Sequence, residues 1–186
     1  MNKVQPIRDL QKVSEMKNYL RNKSMANQER RERNYFLFVL GVNVGIRISD
    51  IIGLRVRDLA GTHINITEKK TGKTKKYFLN TQLRAEIAAY TSGKDPDEFL
   101  FASKKEGHID RIQAYRIIND AARAVGIEDE IGTHTLRKTF GYWHYRQFRD
   151  VAALQIIFNH SSPSDTLRYI GIEQDQIDEI AAEFYI

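Results

Sequence analysis

Apolar positions recur at helical spacing from the start of the chain: Ile7, Leu10, Val13, Met16 and Leu20 fall on one face and predict an amphipathic helix over 7–20. A second helix is predicted from about Asn27 to Val44, carried by Tyr35, Phe36, Phe38, Val39 and Leu40, followed by a short one over 49–54. The period then changes. HINIT (63–67) and KYFL (76–79) read as strands joined by the lysine-rich, turn-forming KKTGKT, so a basic β-hairpin is expected. Asn80 or Thr81 is placed to cap a helix through Tyr90, the short apolar stretch EFLFAS follows the turn KDPD, and an amphipathic helix over 111–125 is stopped by Gly126. Three further helices are predicted at 134–148, 150–158 and 164–170, the last with Ser164 as its cap, before one more in the tail. The class implied is α+β, predominantly α-helical, with one small antiparallel β-sheet.

Composition narrows this picture to a single unit. There is no internal repeat, low-complexity tract or Gly/Ser linker, and 186 residues with 41% hydrophobic content suffice for one core, so a single domain is expected over 1–186 with a tail helix over 172–186. Cysteine is absent, no apolar run is long enough for a bilayer, and MNKVQPIRDL lacks the apolar stretch of a signal peptide; a protein of the cytoplasm with no membrane segment is expected. Charge adds an asymmetry. The last fifteen residues hold five acids (Glu173, Asp175, Asp178, Glu179, Glu183) and no lysine or arginine, which leaves 29 bases against 19 acids, an excess of ten, on the rest. Such a body suits a polyanionic partner, because each phosphate neutralised by a cation releases counterions, although many basic proteins never bind nucleic acid.

Two segments place phosphate-competent groups at fixed offsets. HTLRKTF sets His134 and Arg137 three residues apart on one helical face, and FNHSSPSDTLRYI sets His160 nine residues before Tyr169 across a Pro/Ser turn. Each residue alone has an ordinary structural reading: Tyr169 is one of nine tyrosines that can pack a core, and the arginines and histidines can be surface ion pairs or hydrogen-bonded structural groups. Together the segments resemble the two C-terminal motifs of the tyrosine recombinase (phage integrase) family, His-x-x-Arg and then Leu-Gly-His with the nucleophilic tyrosine nine residues on. GVNVGIRISDIIGLRVRDL is similar to the family's Thr-Gly-x-Arg-(Ile/Leu)-Ser-Glu-Leu-Leu-x-Leu box, with Arg47 on its arginine. ITEKKTGKTKKYFL stands where the family carries a catalytic lysine in a hairpin turn, and Lys70 is the residue chosen, with Lys69 and Lys73 as other registers. The resemblance runs from about residue 7 to 186. Asn159 departs from it by replacing the glycine before the histidine, and Asn43 and Val44 by replacing the common Thr-Gly. No separate N-terminal helical domain is seen, as in a trimmed piece or in short members similar to the fimbrial phase-variation recombinases.

The resemblance implies a recombinase catalytic-domain fold, double-stranded DNA as partner, a homotetramer on DNA linked through the C-terminal tail, and no cofactor or metal. It also implies roles. Tyr169 is the nucleophile that forms a covalent DNA linkage, a phenol ordinarily titrating near pH 10 and so in need of a base, which His134 supplies. Arg47 and Arg137 hold the phosphate as planar forks, Lys70 protonates the leaving oxygen, His160 adds a hydrogen bond, and Asp50 orients Arg47 or His134. Two other functions fit the same residues: a non-catalytic DNA-binding accessory protein of this fold, disfavoured because the whole set Arg47, Lys70, His134, Arg137, His160 and Tyr169 is retained, and a type IB topoisomerase.

Overall fold

The structure, a computed structural model, describes residues 4–22, 27–67, 74–104, 106–172, 175 and 181–185. Among the described residues the regular elements are eight α-helices, a 3-10 helix over Val56–Leu59 and one two-stranded sheet. The first helix, α1 (Leu10–Asn22), buries Met16 and Leu20 and starts later than its apolar spacing predicts. Ile7 is buried as expected, but in an extended entry strap: its N–H donates to Thr139 Oγ1 at 2.9 Å and its carbonyl accepts from Trp143 Nε1 at 2.9 Å. The strap's partners are side chains of a later helix, and sequence periodicity carries no signal for such a contact.

Helix α2 (Gln28–Val44), capped by the Asn27 side chain, is the central post, packed against α1, α4 and α6. Its run Phe36–Leu40 is buried on every side, as expected of a helix enclosed by neighbours. A short helix α3 (Ile48–Ile51) follows, then strands β1 (His63–Thr67) and β2 (Thr74–Phe78), antiparallel with His63 opposite Phe78 and Thr67 opposite Thr74. The hairpin is the predicted one with its second strand two residues earlier; the turn 68–73 lies outside the described residues. Alternation directs Ile64 and Ile66 of β1 and Lys75 and Tyr77 of β2 to the inner face.

The chain continues through α4 (Thr81–Thr91), capped by Asn80, and α5 (Arg111–Ala124), ended by Gly126 in the left-handed region. Three helices close the molecule: α6 (Thr135–Phe148), α7 (Val151–Phe158) and α8 (Pro163–Ile170). The cap of α8 is Ser162, whose hydroxyl accepts from the Asp165 N–H at 3.0 Å, and not Ser164. Pro163 sits at the first helical position, where its missing N–H costs nothing, and this shifts the helix start one residue earlier than predicted. The core has two parts. The larger surrounds α2; the smaller, Tyr142, Leu154, Phe158, Ile170 and Ile172, lies among α6, α7 and α8, and the candidate residues gather along the seam between them.

Candidate active site

Arg47, His134, Arg137, His160 and Tyr169 are brought together from four chain segments. Arg47 is exposed between the buried Ile46 and Ile48, so anchoring its neighbours aims it outward at the start of α3. The turn that delivers it depends on Gly45, which has φ of 64° and faces the Phe140 ring so closely that a Cβ would meet it at 2.5 Å. Gly45 stands two residues before Arg47, so the glycine of the Thr-Gly-x-Arg box is present, and of that pair only the threonine is replaced, by Val44.

Arg137 lies on α6 and is 4% exposed. Burying a guanidinium is costly unless its donors are satisfied, and here they are. One terminal nitrogen donates to the Gly45 carbonyl at 2.6 Å and the other to the Phe158 carbonyl at 2.9 Å, while the group lies 4.5 Å over the Phe158 ring. The two carbonyls belong to the two parts of the core, so Arg137 ties them across the seam. Burial lowers its pKa from the usual arginine value, opposed by Tyr169 and Tyr77.

His134 caps α6 by position only; its side chain makes no cap bond and turns instead to Tyr169, with Nδ1 3.2 Å from the phenol oxygen. Tyr169 sits on α8, half-buried against the Phe158 and His160 rings at 5.4 and 5.0 Å, within hydrogen-bonding reach of Arg137 and with the Lys138 ammonium 5.1 Å from its ring. The hydrogen bonds have a fixed direction. An arginine only donates, so Arg137 beside the phenol offers it no acceptor, and the phenol hydrogen is left for His134 Nδ1. Burial raises the Tyr169 pKa, with Arg137 and Arg47 opposing, so the phenol is neutral near pH 7 and depends on an acceptor for its proton.

His160 follows Asn159, which ends α7 at φ 56° and ψ 47°. Asparagine is among the few side chains that tolerate this left-handed conformation, so it replaces the family's glycine without changing the turn. The His160 Nδ1 lies 3.1 Å from Thr166 Oγ1, and that hydroxyl donates to the Ser162 carbonyl at 3.2 Å. His160 Nδ1 is therefore the donor to Thr166. Asp50 pairs with the Ser49 hydroxyl at 3.5 Å instead of with Arg47 or His134. Lys70, with Lys69 and Lys73, lies outside the described residues. Among the described residues no cluster of three or more His, Cys, Asp or Glu is arranged to hold a metal, and no helix is long and apolar enough to cross a membrane.

Sequence reasoning missed Phe158, the ring beneath Arg137 and Tyr169, and Tyr77, half-buried on the inner face of β2 near Arg137 and Arg47. Phe158 reads as one more apolar helix position. Tyr77 had a signal in its alternation with Lys75 beside the lysine-rich turn.

Both site histidines are held below the ordinary value of about 6.5, foremost by burial and then by Arg137; His144 on α6 is lowered by burial too. Stability from these groups is full above about pH 6.5 and is lost as pH falls from there through the folded values, because the unfolded chain takes up the protons first. Thermal midpoints measured from pH 7.5 to 5.5 should fall on acidification. The slope should be shallower in His134→Gln/His160→Gln, with His144 supplying the remainder; an unchanged slope would show that the two histidines are not held neutral.

A model of the phage integrase family matches residues 9–175. The probable integrase/recombinase YoeC of Bacillus subtilis is 51% identical over 177 residues, covering 94% of this chain and 93% of that protein. The fold is similar to the XerA recombinase, with a TM-score of 0.74 at 19% identity over 98% of this chain, and to the XerH site-specific recombinase in a post-cleavage complex with its palindromic difH substrate, with a TM-score of 0.73 at 19% identity over 97%. The chain spans 65% and 54% of those two structures.

Proposed function

The chain belongs to the phage integrase family and has the fold of the tyrosine recombinase catalytic domains, and from that premise we propose that it cleaves and rejoins double-stranded DNA through a covalent 3′-phosphotyrosyl intermediate. The observation that carries this reading is the Tyr169 phenol, set 3.2 Å from an acceptor, His134 Nδ1, and beside the buried Arg137 guanidinium. A packing tyrosine needs neither. As the phenol oxygen attacks phosphorus, its proton passes to His134; the bond to the 5′ oxygen breaks and that oxygen takes a proton from Lys70. Charge that builds on the non-bridging oxygens is met by Arg47 and Arg137, and His160, whose Nδ1–H is taken by Thr166, contributes a hydrogen bond from Nε2 once the phosphate's charge protonates it. The ester retains the energy of the broken bond, so a free 5′ hydroxyl reverses the step.

The test is to trap the protein on nicked DNA without divalent metal and sequence what remains attached after denaturation. Adducts at a recurring sequence support a site-specific recombinase. Ready relaxation of supercoiled plasmid of any sequence would identify a topoisomerase instead, and DNA binding without an adduct an accessory protein.

The tail is proposed to link protomers into a tetramer on DNA. Ile177 and Ile180 of its apolar stripe lie outside the described residues, while Phe184 is 73% exposed and Ala181 is exposed beside it. At its base, Asp175 accepts from Arg8 at 3.0 Å. An acidic, apolar-striped segment on a basic body is suited to docking on another copy. Deleting residues 176–186 should leave nonspecific DNA binding intact but weaken self-association on DNA, measured by sedimentation, and block complete strand exchange; normal assembly of the deletion would remove the tail from this role.

A further inference from the structure

The entry strap reaches the tyrosine of the site through one buried lysine. Lys138 is 7% exposed, a costly place for an ammonium unless other groups replace its hydration. Its Nζ donates to the Val4 carbonyl of the strap at 2.7 Å. The same nitrogen lies over the Tyr169 ring, 5.1 Å from the ring centre. The strap that holds it is itself pinned: the Gln5 N–H donates to the Glu130 carbonyl at 2.9 Å, Ile7 is bonded to Thr139 and Trp143, and Val4 packs so closely on Gly132 that a Cβ there would meet it at 2.7 Å. The ammonium is kept over the ring and away from solvent.

We propose that Lys138 is a positioning residue of the cleavage site, its charge over the Tyr169 ring aiming the phenol at His134 and easing its ionisation as the oxygen attacks. The proposal rests on the reading of the chain as a strand-cleaving recombinase. A neutral aromatic ring draws a cation to its face through its quadrupole; once the phenol proton has passed to His134, negative charge spreads into the ring and the attraction becomes that of two opposite charges. The contact is stronger in the transition state than at rest, which is the condition for an interaction to speed a step. The other groups around Tyr169 act elsewhere. His134 meets the hydroxyl, the His160 and Phe158 rings pack on the phenol ring at steep angles, and Arg137 and Arg47 add positive charge nearby. Lys138 also lies one helical turn after His134 and, behind burial and Arg137, helps keep that imidazole a neutral acceptor. A lysine needed only to fasten the strap would serve without its charge.

Lys138→Gln keeps a donor for the Val4 carbonyl and removes the charge, Lys138→Met removes both, and Lys138→Arg keeps the charge. With a fluorotyrosine placed at position 169 and its ionisation followed by fluorine NMR, the titration midpoint should rise by about one pH unit or more in the first two variants and stay close to wild type in Lys138→Arg. On the DNA sequence recovered by trapping, single-turnover adduct formation should slow by about tenfold or more in Lys138→Gln, with DNA affinity unchanged because the ammonium is buried. Trp143→Phe is the structural control: it removes a strap hydrogen bond and leaves the cation, so it should lower the thermal midpoint without moving the titration. A titration unmoved in Lys138→Gln and Lys138→Met, or moved equally in Trp143→Phe, would overturn the positioning role while leaving the recombinase reading standing. A wild-type protein that forms no adduct would overturn both.

Discussion

Tyr169→Phe is expected to leave no covalent adduct on nicked or half-site DNA, while DNA affinity changes by no more than about twofold, because phosphate contacts spread over the basic body hold the duplex. The variant removes one oxygen and keeps the ring, and the ring is what packs Tyr169 onto Phe158 and His160. The fold should tolerate it. The His134 Nδ1 loses a partner but stays open to water on its exposed side, so no large penalty for a buried unpaired group arises. Denaturing gels of trapped complexes read the outcome, and an adduct persisting in Tyr169→Phe would mean that another residue is the nucleophile. Eight other tyrosines are available to test that way, Tyr77 first among them because of its place beside Arg137.

What could be read from the sequence, and what could not, divides along the range of the interactions. Helices whose apolar stripes face one core, such as α5, announce themselves through short-range periodicity, and so do caps such as Asn80, whose N–H donor lies three residues on. The candidate residues come from offsets that resemble the family's motifs, with His134 and Arg137 less than one turn apart and His160 and Tyr169 separated by one turn and one helix; the structure brings these four together with Arg47. The structure departs from the sequence expectations where a distant partner decides, and in two places where a near neighbour does. Ile7 has helical phase but takes its hydrogen bonds from Thr139 and Trp143, more than 130 residues away. Ser164 is predicted as the cap of α8, yet proline at the first helical position leaves Ser162 to cap. Asp50 was expected to orient a charged partner, but its side chain turns to its neighbour Ser49. No pairwise spacing predicts that a strand tyrosine comes near an arginine sixty residues later.

The two arginines should separate cleanly when each is changed to alanine, because they share a charge but not an environment. Removing either takes away one pre-positioned donor to the charge that develops on the phosphate, and each should slow single-turnover cleavage on the order of a hundredfold or more. Stability should tell them apart. Arg47 is exposed and its side chain caps nothing, so Arg47→Ala should alter folding free energy by no more than about 0.5 kcal/mol. Arg137 is buried, and its loss leaves the Gly45 and Phe158 carbonyls without their donor at a cost of roughly 1–3 kcal/mol each, and empties the space over the Phe158 ring. Arg137→Ala should therefore lower the thermal midpoint by many degrees as well as the rate. Arg137→Lys fills some of that space but offers a point charge where two carbonyls meet a planar fork, so it should recover part of the stability and little of the rate. Urea unfolding and trapped-adduct kinetics on the same three variants decide the matter. A change of only twofold in cleavage for Arg47→Ala would remove it from the phosphate clamp, and an unchanged midpoint in Arg137→Ala would contradict its place as the tie between the two parts of the core.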